Sequence, residues 1–257
     1  MPTKIVIDKN VNISKPMLEE ALQRFDSSGE LIGTGYRNVI KTLDINGIHC
    51  NVKSFKVPNL INKIVYNFFR KSKAQRSFEY ASKLQGMGIG TPDAVAYVEH
   101  KTPLFFKESY YISKQLEYDF TIRKLIDEPM CEDYERILRE FTKFTFELHE
   151  KGVHFLDHSP GNTLIKQVEG EYQFYLVDLN RMRFEKMDLD MRLNNFARLS
   201  PKDYMLDIIS DEYATLIGAP KEEIKEKMYF FSKKFSSGFK KKEAFKKKYF
   251  FWRKKKR

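Results

Sequence analysis

One loop constrains this chain more than any other stretch. Residues 152–162 read GVHFLDHSPGN, directly after a segment of helical spacing and before two short apolar runs. Pro, Gly, Ser and Asn at this density do not continue a helix or a strand, so the segment must turn. The turn carries Asp157, with Pro160 three residues on and Asn162 five residues on. Sixteen residues past Asn162, the apolar run Tyr175-Leu-Val ends on Asp178. Taken singly, Asp157 is as well explained by capping a turn. Taken together, the three residues are the set that phosphoryl transfer uses. One carboxylate receives or orients the acceptor hydroxyl, and an amide oxygen and a second carboxylate hold Mg²⁺ on the ATP phosphates. Asp157 takes the first role on this reading, and Asn162 and Asp178 are the metal ligands.

The flanking pattern sets the architecture. Ile137, Phe141, Phe144 and Leu148 recur at helical spacing and predict an amphipathic helix stopped by Gly152. Upstream, GTGYRNVIKTLDINGIHCNVKSFK reads as a β-hairpin, with Asn46-Gly47 as its turn and Ile48, Cys50 and Val52 on one face of the second strand. Further strands are expected at 4–8, 94–98, 110–116, 162–166 and 172–178. A helix is expected over 71–89, with Phe78, Ala81 and Leu84 on one face. From about Met191 the chain reads as mostly helical. The fold class is therefore α+β: a strand-rich lobe at 1–116, a helical lobe at 117–227 and a tail at 228–257.

The tail stands out by charge. The whole chain of 257 residues has a net charge of +11, yet residues 228–257 hold 13 basic residues against Glu243 alone. The remainder is thus nearly neutral. Ten aromatic rings, from Tyr229 to Trp252, interleave with these lysines. Solvated disordered tails are poor in rings. A basic, aromatic segment suits an anionic membrane surface, where rings settle at headgroup level and each Lys or Arg contributes about 1 kcal/mol. Nucleic acid is the other polyanion that would fit, and is not the expected partner. No run of 18 apolar residues is present, so no transmembrane helix is expected. The amino terminus lacks a signal-peptide core, and Cys50 and Cys131 are too few for a disulfide framework or a zinc site. The expected setting is a reducing cytoplasm.

The constellation resembles the protein-kinase-like fold, and within it the lipopolysaccharide core kinases of the Kdo and heptose kinase group. The residues that carry the resemblance are Leu148-His149 with Gly152-Val153, Asp157 with Pro160 and Asn162, the turn Asp178-Leu179-Asn180-Arg181, and Asn195-Phe196-Ala197-Arg198-Leu199. It covers about residues 30–215. The resemblance implies a two-lobed kinase fold, with ATP and Mg²⁺ as cofactors. It also implies a lipid-linked lipopolysaccharide core sugar as acceptor, and a peripheral place on the inner membrane of a Gram-negative bacterium.

ATP would then be held by the strand-rich half. Gly33 and Gly35 lie at the mouth of the hairpin, where glycine lets backbone N–H groups approach phosphates. Asn38 replaces the third glycine of the protein-kinase pattern. Lys53 is the expected α/β-phosphate lysine, with Lys56 as the competitor on the opposite face of a regular strand. Glu79 is the expected ion-pair partner of Lys53, against the alternative of a solvent-facing helix residue. Phe155 stands where the loop histidine of protein kinases sits, and Asn180 replaces the last glycine of Asp-Phe-Gly. Both departures suggest a site without activation-loop switching. His149, His154 and His158 are read as packing or loop hydrogen-bonding residues. Arg181, Arg183 and Arg198 are read either as contacts to an anionic substrate or as structural ion pairs. Two further functions remain open on the residues alone: a kinase with a protein or small-molecule acceptor, and a non-catalytic basic binding protein.

Overall fold

A computed structural model describes residues 3–33, 38–55, 70–128 and 132–249, without the side chains of 243, 246, 247 and 249. The chain divides into two compact units: Met1–Tyr118 with Tyr175–Arg181, and Asp119–Phe174 with Met182–Arg257.

The first unit is built on a six-stranded antiparallel sheet in the order β1-β5-β6-β4-β3-β2. Its strands are β1 (Thr3–Ile7), β2 (Glu30–Leu31), β3 (Asn38–Ile45), β4 (Ile48–Phe55), β5 (Ala94–Lys101) and β6 (Phe106–Lys114). The β3–β4 hairpin forms as expected. Asn46 and Gly47 both take positive φ (50° and 76°), the turn whose twist matches paired strands. Helix α1 (Lys15–Gln23) lies within the lobe expected to be strand-rich and buries Leu18 and Ala21 on one face of the sheet against Leu43, Cys50, Val52, Val98 and Ile112. Helix α2 (Lys73–Gly86) starts at Ser72, whose side chain accepts a hydrogen bond from the Gln75 N–H. It covers the other face, where Ala74 and Phe78 meet Phe55, Tyr97 and Tyr111. Residues 94–99 of β5 are buried without a break because helices cover both faces.

The second unit is mostly helical. It contains β7 (Phe120–Thr121), α3 (Arg123–Asp127), α4 (Tyr134–Glu150), β8 (Val153–Phe155), β9 (Thr163–Val168), β10 (Glu171–Leu176, which ends in the first unit), β11 (Met182–Phe184), α5 (Leu189–Phe196), a 3₁₀ turn (Ala197–Leu199), α6 (Asp203–Ile217) and α7 (Lys221–Tyr249). Helix α4 supplies Ile137, Leu138 and Phe141 to a core shared with Leu193, Phe196, Ile209, Tyr213, Ile224 and Met228. Each such side chain contributes about 1.5–3 kcal/mol by leaving water. Helix α7 runs through residue 228 without a break. Its first turns pack on α5 and α6, and beyond Ser236 every described side chain is exposed. No helix of the described residues is long and apolar enough to cross a membrane.

Candidate active site

In the first unit, β4 pairs Lys53 with Ile40 on one side and Tyr111 on the other. The period of two puts Cys50 and Val52 under the sheet, fully buried, and turns Lys53 to the opposite face with Phe55. The Lys53 ammonium donates to Oδ1 of Asp178 at 2.7 Å, across 125 residues of sequence. Asp178 follows β10 and takes φ +57°, an uncommon value for a residue with a Cβ. Hydrogen bonds hold the segment before it: the Leu176 N–H donates to the Gly90 carbonyl (2.9 Å), and the Thr91 hydroxyl donates to the Leu176 carbonyl (2.8 Å). The Asn180 amide also donates to Asp178 Oδ1, at 2.6 Å. Both bonds fall on one oxygen. Among the described residues, Oδ2 takes no hydrogen bond, which leaves a hard carboxylate oxygen of the kind Mg²⁺ prefers.

Glu79, the ion-pair partner of Lys53 expected from the sequence, is not paired with it. Glu79 instead holds the Lys71 ammonium at 2.7 Å and the Gln75 amide at 2.9 Å. The reason lies in the phase of α2. Its first turn brings Lys73 to the Phe55 ring, 5.8 Å from the ring centroid, while Lys53 lies 5.5 Å from the same ring. Glu79 is six residues further on, about 240° around the helix, and points elsewhere. The charge that α2 offers beside Lys53 is therefore a second cation. Burial pushes the Lys73 ammonium below the usual lysine range. Lys53, Arg76 and Arg181 push it the same way, and Asp178 opposes them. In the sequence Lys73 carries no signal, because a lysine in the first turn of a polar helix looks like any solvated one. Gly33 takes φ +76° between β2 and β3, in open space. Gly35 and Lys56 lie outside the described residues.

In the second unit, α4 ends at Glu150 and Gly152 redirects the chain. Gly152 needs φ +66°, and a Cβ there would meet the Glu185 carbonyl at 3.0 Å. That close approach pairs β8 with β11 and leads into the loop. The Asp157 carbonyl accepts from the Ser159 N–H (2.7 Å) and from the Asn162 side-chain amide (2.8 Å). With Nδ2 so committed, Asn162 has Oδ1 left as an acceptor. The Asp157 carboxylate accepts from the Arg198 guanidinium at 2.7 Å, with the two side chains 22% and 34% exposed. Of the two readings of Arg198 in the sequence, this is the ion-pair one, but with the loop carboxylate.

Behind the loop lies a buried hydrogen-bond chain whose polarity is fixed from one end. The Phe155 carbonyl can only accept, so Asn195 presents Nδ2 to it (2.9 Å). That turns Asn195 Oδ1 to His149 Nε2 (3.3 Å), which must donate. His149 Nδ1 is then bare and accepts from the Tyr213 hydroxyl (2.9 Å). His149 is thus neutral, and burial pushes its pKa down to about 3. His158 is fully buried among the rings of Phe141, Phe155 and Phe196, with its pKa pushed down to about 4, again mainly by burial. Asn195 lies beside it, but its amide is committed to Phe155 and His149. Packing and loop support are thus the roles the structure gives His149 and His158. His154 faces Glu185 at 3.2 Å.

The first unit thus sets a strand lysine against a carboxylate turn, and the second holds a loop carboxylate whose backbone is tied down by an amide. The profile of the lipopolysaccharide kinase (Kdo/WaaP) family matches residues 25–219, and the chain belongs to that family. The fold is that of a solved structure described as WaaP in complex with acyl carrier protein. The two chains share 15% identity, with 91% of this chain and 98% of that chain covered, at a TM-score of 0.61. A MAP kinase of Leishmania major also matches, with 15% identity, 80% and 68% coverage and a TM-score of 0.46. No curated protein matches the chain by sequence.

Proposed function

We propose that the chain transfers the γ-phosphoryl group of ATP to a sugar hydroxyl, of Kdo or heptose, in the inner core of lipopolysaccharide at the cytoplasmic face of the membrane. The observation that carries this reading is the Lys53–Asp178 pair on a left-handed turn. The pair sets a cation suited to phosphate beside a carboxylate suited to the metal that accompanies it. Lys53 would pass to the phosphates, with Lys73 as a second ammonium and Gly33 and Gly35 offering backbone N–H groups. Asp178 Oδ2 and Asn162 Oδ1 would hold magnesium, whose chemistry here is to offset phosphate charge. Asp157 accepts or orients the proton of the attacking hydroxyl, the bond from that oxygen to phosphorus forms, and ADP leaves. The substrate class rests on the family, and the phosphoryl transfer rests on the residues.

The cationic, ring-bearing end of α7 supports attachment to an anionic membrane, where a lipid-linked acceptor would reside. The solved structure described as WaaP in complex with acyl carrier protein makes a protein a second candidate partner. The function is tested by incubating purified protein with Mg-ATP and Kdo-lipid A or a heptosylated core, and measuring a phosphate mass increment. Asp157→Asn should abolish the increment while ATP still binds. Full turnover by that variant would remove Asp157 from its role.

A further inference from the structure

We infer that Arg198 is a positioning residue for Asp157, and that Phe235 on the carboxyl-terminal helix seats it, so that α7 takes part in catalysis as well as in attachment. The inference rests on the reading of Asp157 just given. Arg198 donates to Asp157 Oδ1 through Nη2 at 2.7 Å, and its guanidinium carbon lies 5.8 Å from the centroid of the Phe235 ring. Its Nε is buried and has no hydrogen-bond partner among the described residues. A guanidinium is usually fixed by several of its five donors. Here one donor reaches the carboxylate, and the aromatic face holds the plane. The 3₁₀ turn that carries Arg198 packs directly on α7, and Ser200 closes it with φ +50°. The backbone beneath Arg198 is thus set by α7, and its side chain is set by Phe235. On the other side of the loop, Asn195, three residues before Arg198, ties down the Phe155 carbonyl two residues before Asp157. The segment 195–198 therefore grips the loop twice, once through backbone and once through the carboxylate. Replacing the ring by an aliphatic side chain of similar volume leaves Arg198 free to rotate off Asp157, and the carboxylate then loses its fixed orientation towards the acceptor hydroxyl.

The test is a double-mutant cycle on the full chain, with kcat, KM for ATP and nucleotide affinity measured for each form. Phe235→Leu should lower kcat about two- to five-fold, the worth of one cation–π contact, with KM for ATP and nucleotide affinity unchanged. Phe235→Tyr, which keeps the ring, should hold kcat at the wild-type value. Arg198→Gln, which removes the cation, should lower kcat further, and adding Phe235→Leu to it should cause no additional loss. Multiplicative losses in the cycle, or a Phe235→Leu enzyme with unchanged kcat, would overturn the coupling. So would equal losses in kcat and nucleotide affinity, which a general loosening of α7 would produce. Asp157→Asn separates the two levels of failure. If it retains turnover, the reading of Asp157 falls. If it is inactive and the cycle is multiplicative, the coupling alone falls.

Discussion

Lowering the pH from about 7.5 to about 5 should remove roughly 4 kcal/mol of stability from the helical unit through two histidines alone. His149 and His158 are 1% and 0% exposed, and burial pushes their pKa values from 6.5 to about 3 and about 4. Both therefore stay neutral in the folded chain at pH values where the unfolded chain takes up a proton. The folded pKa lies below the unfolded one. The stabilising contribution is thus complete above pH 6.5 and is lost as the pH falls towards 4 and then 3. At pH 5 the gap from 6.5 is worth about 2 kcal/mol for each ring, at about 1.4 kcal/mol per pH unit. Two rings together cost a sizeable part of the 5–15 kcal/mol that typical domains possess. Protonation of His149 would also place a proton on Nδ1, where the Tyr213 hydroxyl now donates. Urea unfolding followed by far-UV circular dichroism at several pH values measures the slope, expected at about 2.7 kcal/mol per pH unit near pH 5.5. His158→Leu should halve that slope without weakening the protein at neutral pH, because neither ring nitrogen has a hydrogen-bond partner among the described residues. A slope corresponding to less than one proton, or an unchanged slope in His158→Leu, would refute the assignment of two buried neutral rings.

Lys53→Met and Lys73→Ala should each raise KM for ATP roughly tenfold or more, the worth of a charged hydrogen bond to phosphate. Because the Lys73 ammonium is pushed below the usual lysine range, ATP affinity of the wild type should fall on the alkaline side earlier than an ordinary lysine allows, and Lys73→Ala should lose that early fall. A Lys73→Ala enzyme with wild-type KM would remove it from the phosphate site. Removing residues 237–257 takes away 11 basic residues but leaves Ile224, Met228 and Phe231 in place. Co-sedimentation with anionic vesicles should be lost with that deletion, and should weaken with salt in the intact chain. Undiminished pelleting of the shortened chain would place the membrane surface elsewhere.

Local chemistry made some of this protein legible in its sequence. Asn46-Gly47 specifies a hairpin because its backbone must go to positive φ. Gly152 stops α4 for the same reason, and the apolar period of α4 declares which face enters the core. Alternation along β4 was enough to turn Lys53 away from Cys50 and Val52. The spacing of Asp157, Asn162 and Asp178 carries the phosphoryl-transfer reading, and the family match supports a kinase. Pairings between distant residues were not readable, because they depend on where elements dock and in what phase. The phase of α2 gave Lys53 the company of Lys73 and sent Glu79 to Lys71. The path after β10 brought Asp178 to Lys53. Only packing of α7 on the 3₁₀ turn set Phe235 over Arg198, and only the buried environment made His149 and His158 neutral. A charge or a ring carries its identity in the sequence, but its partner and its solvation are properties of the folded chain.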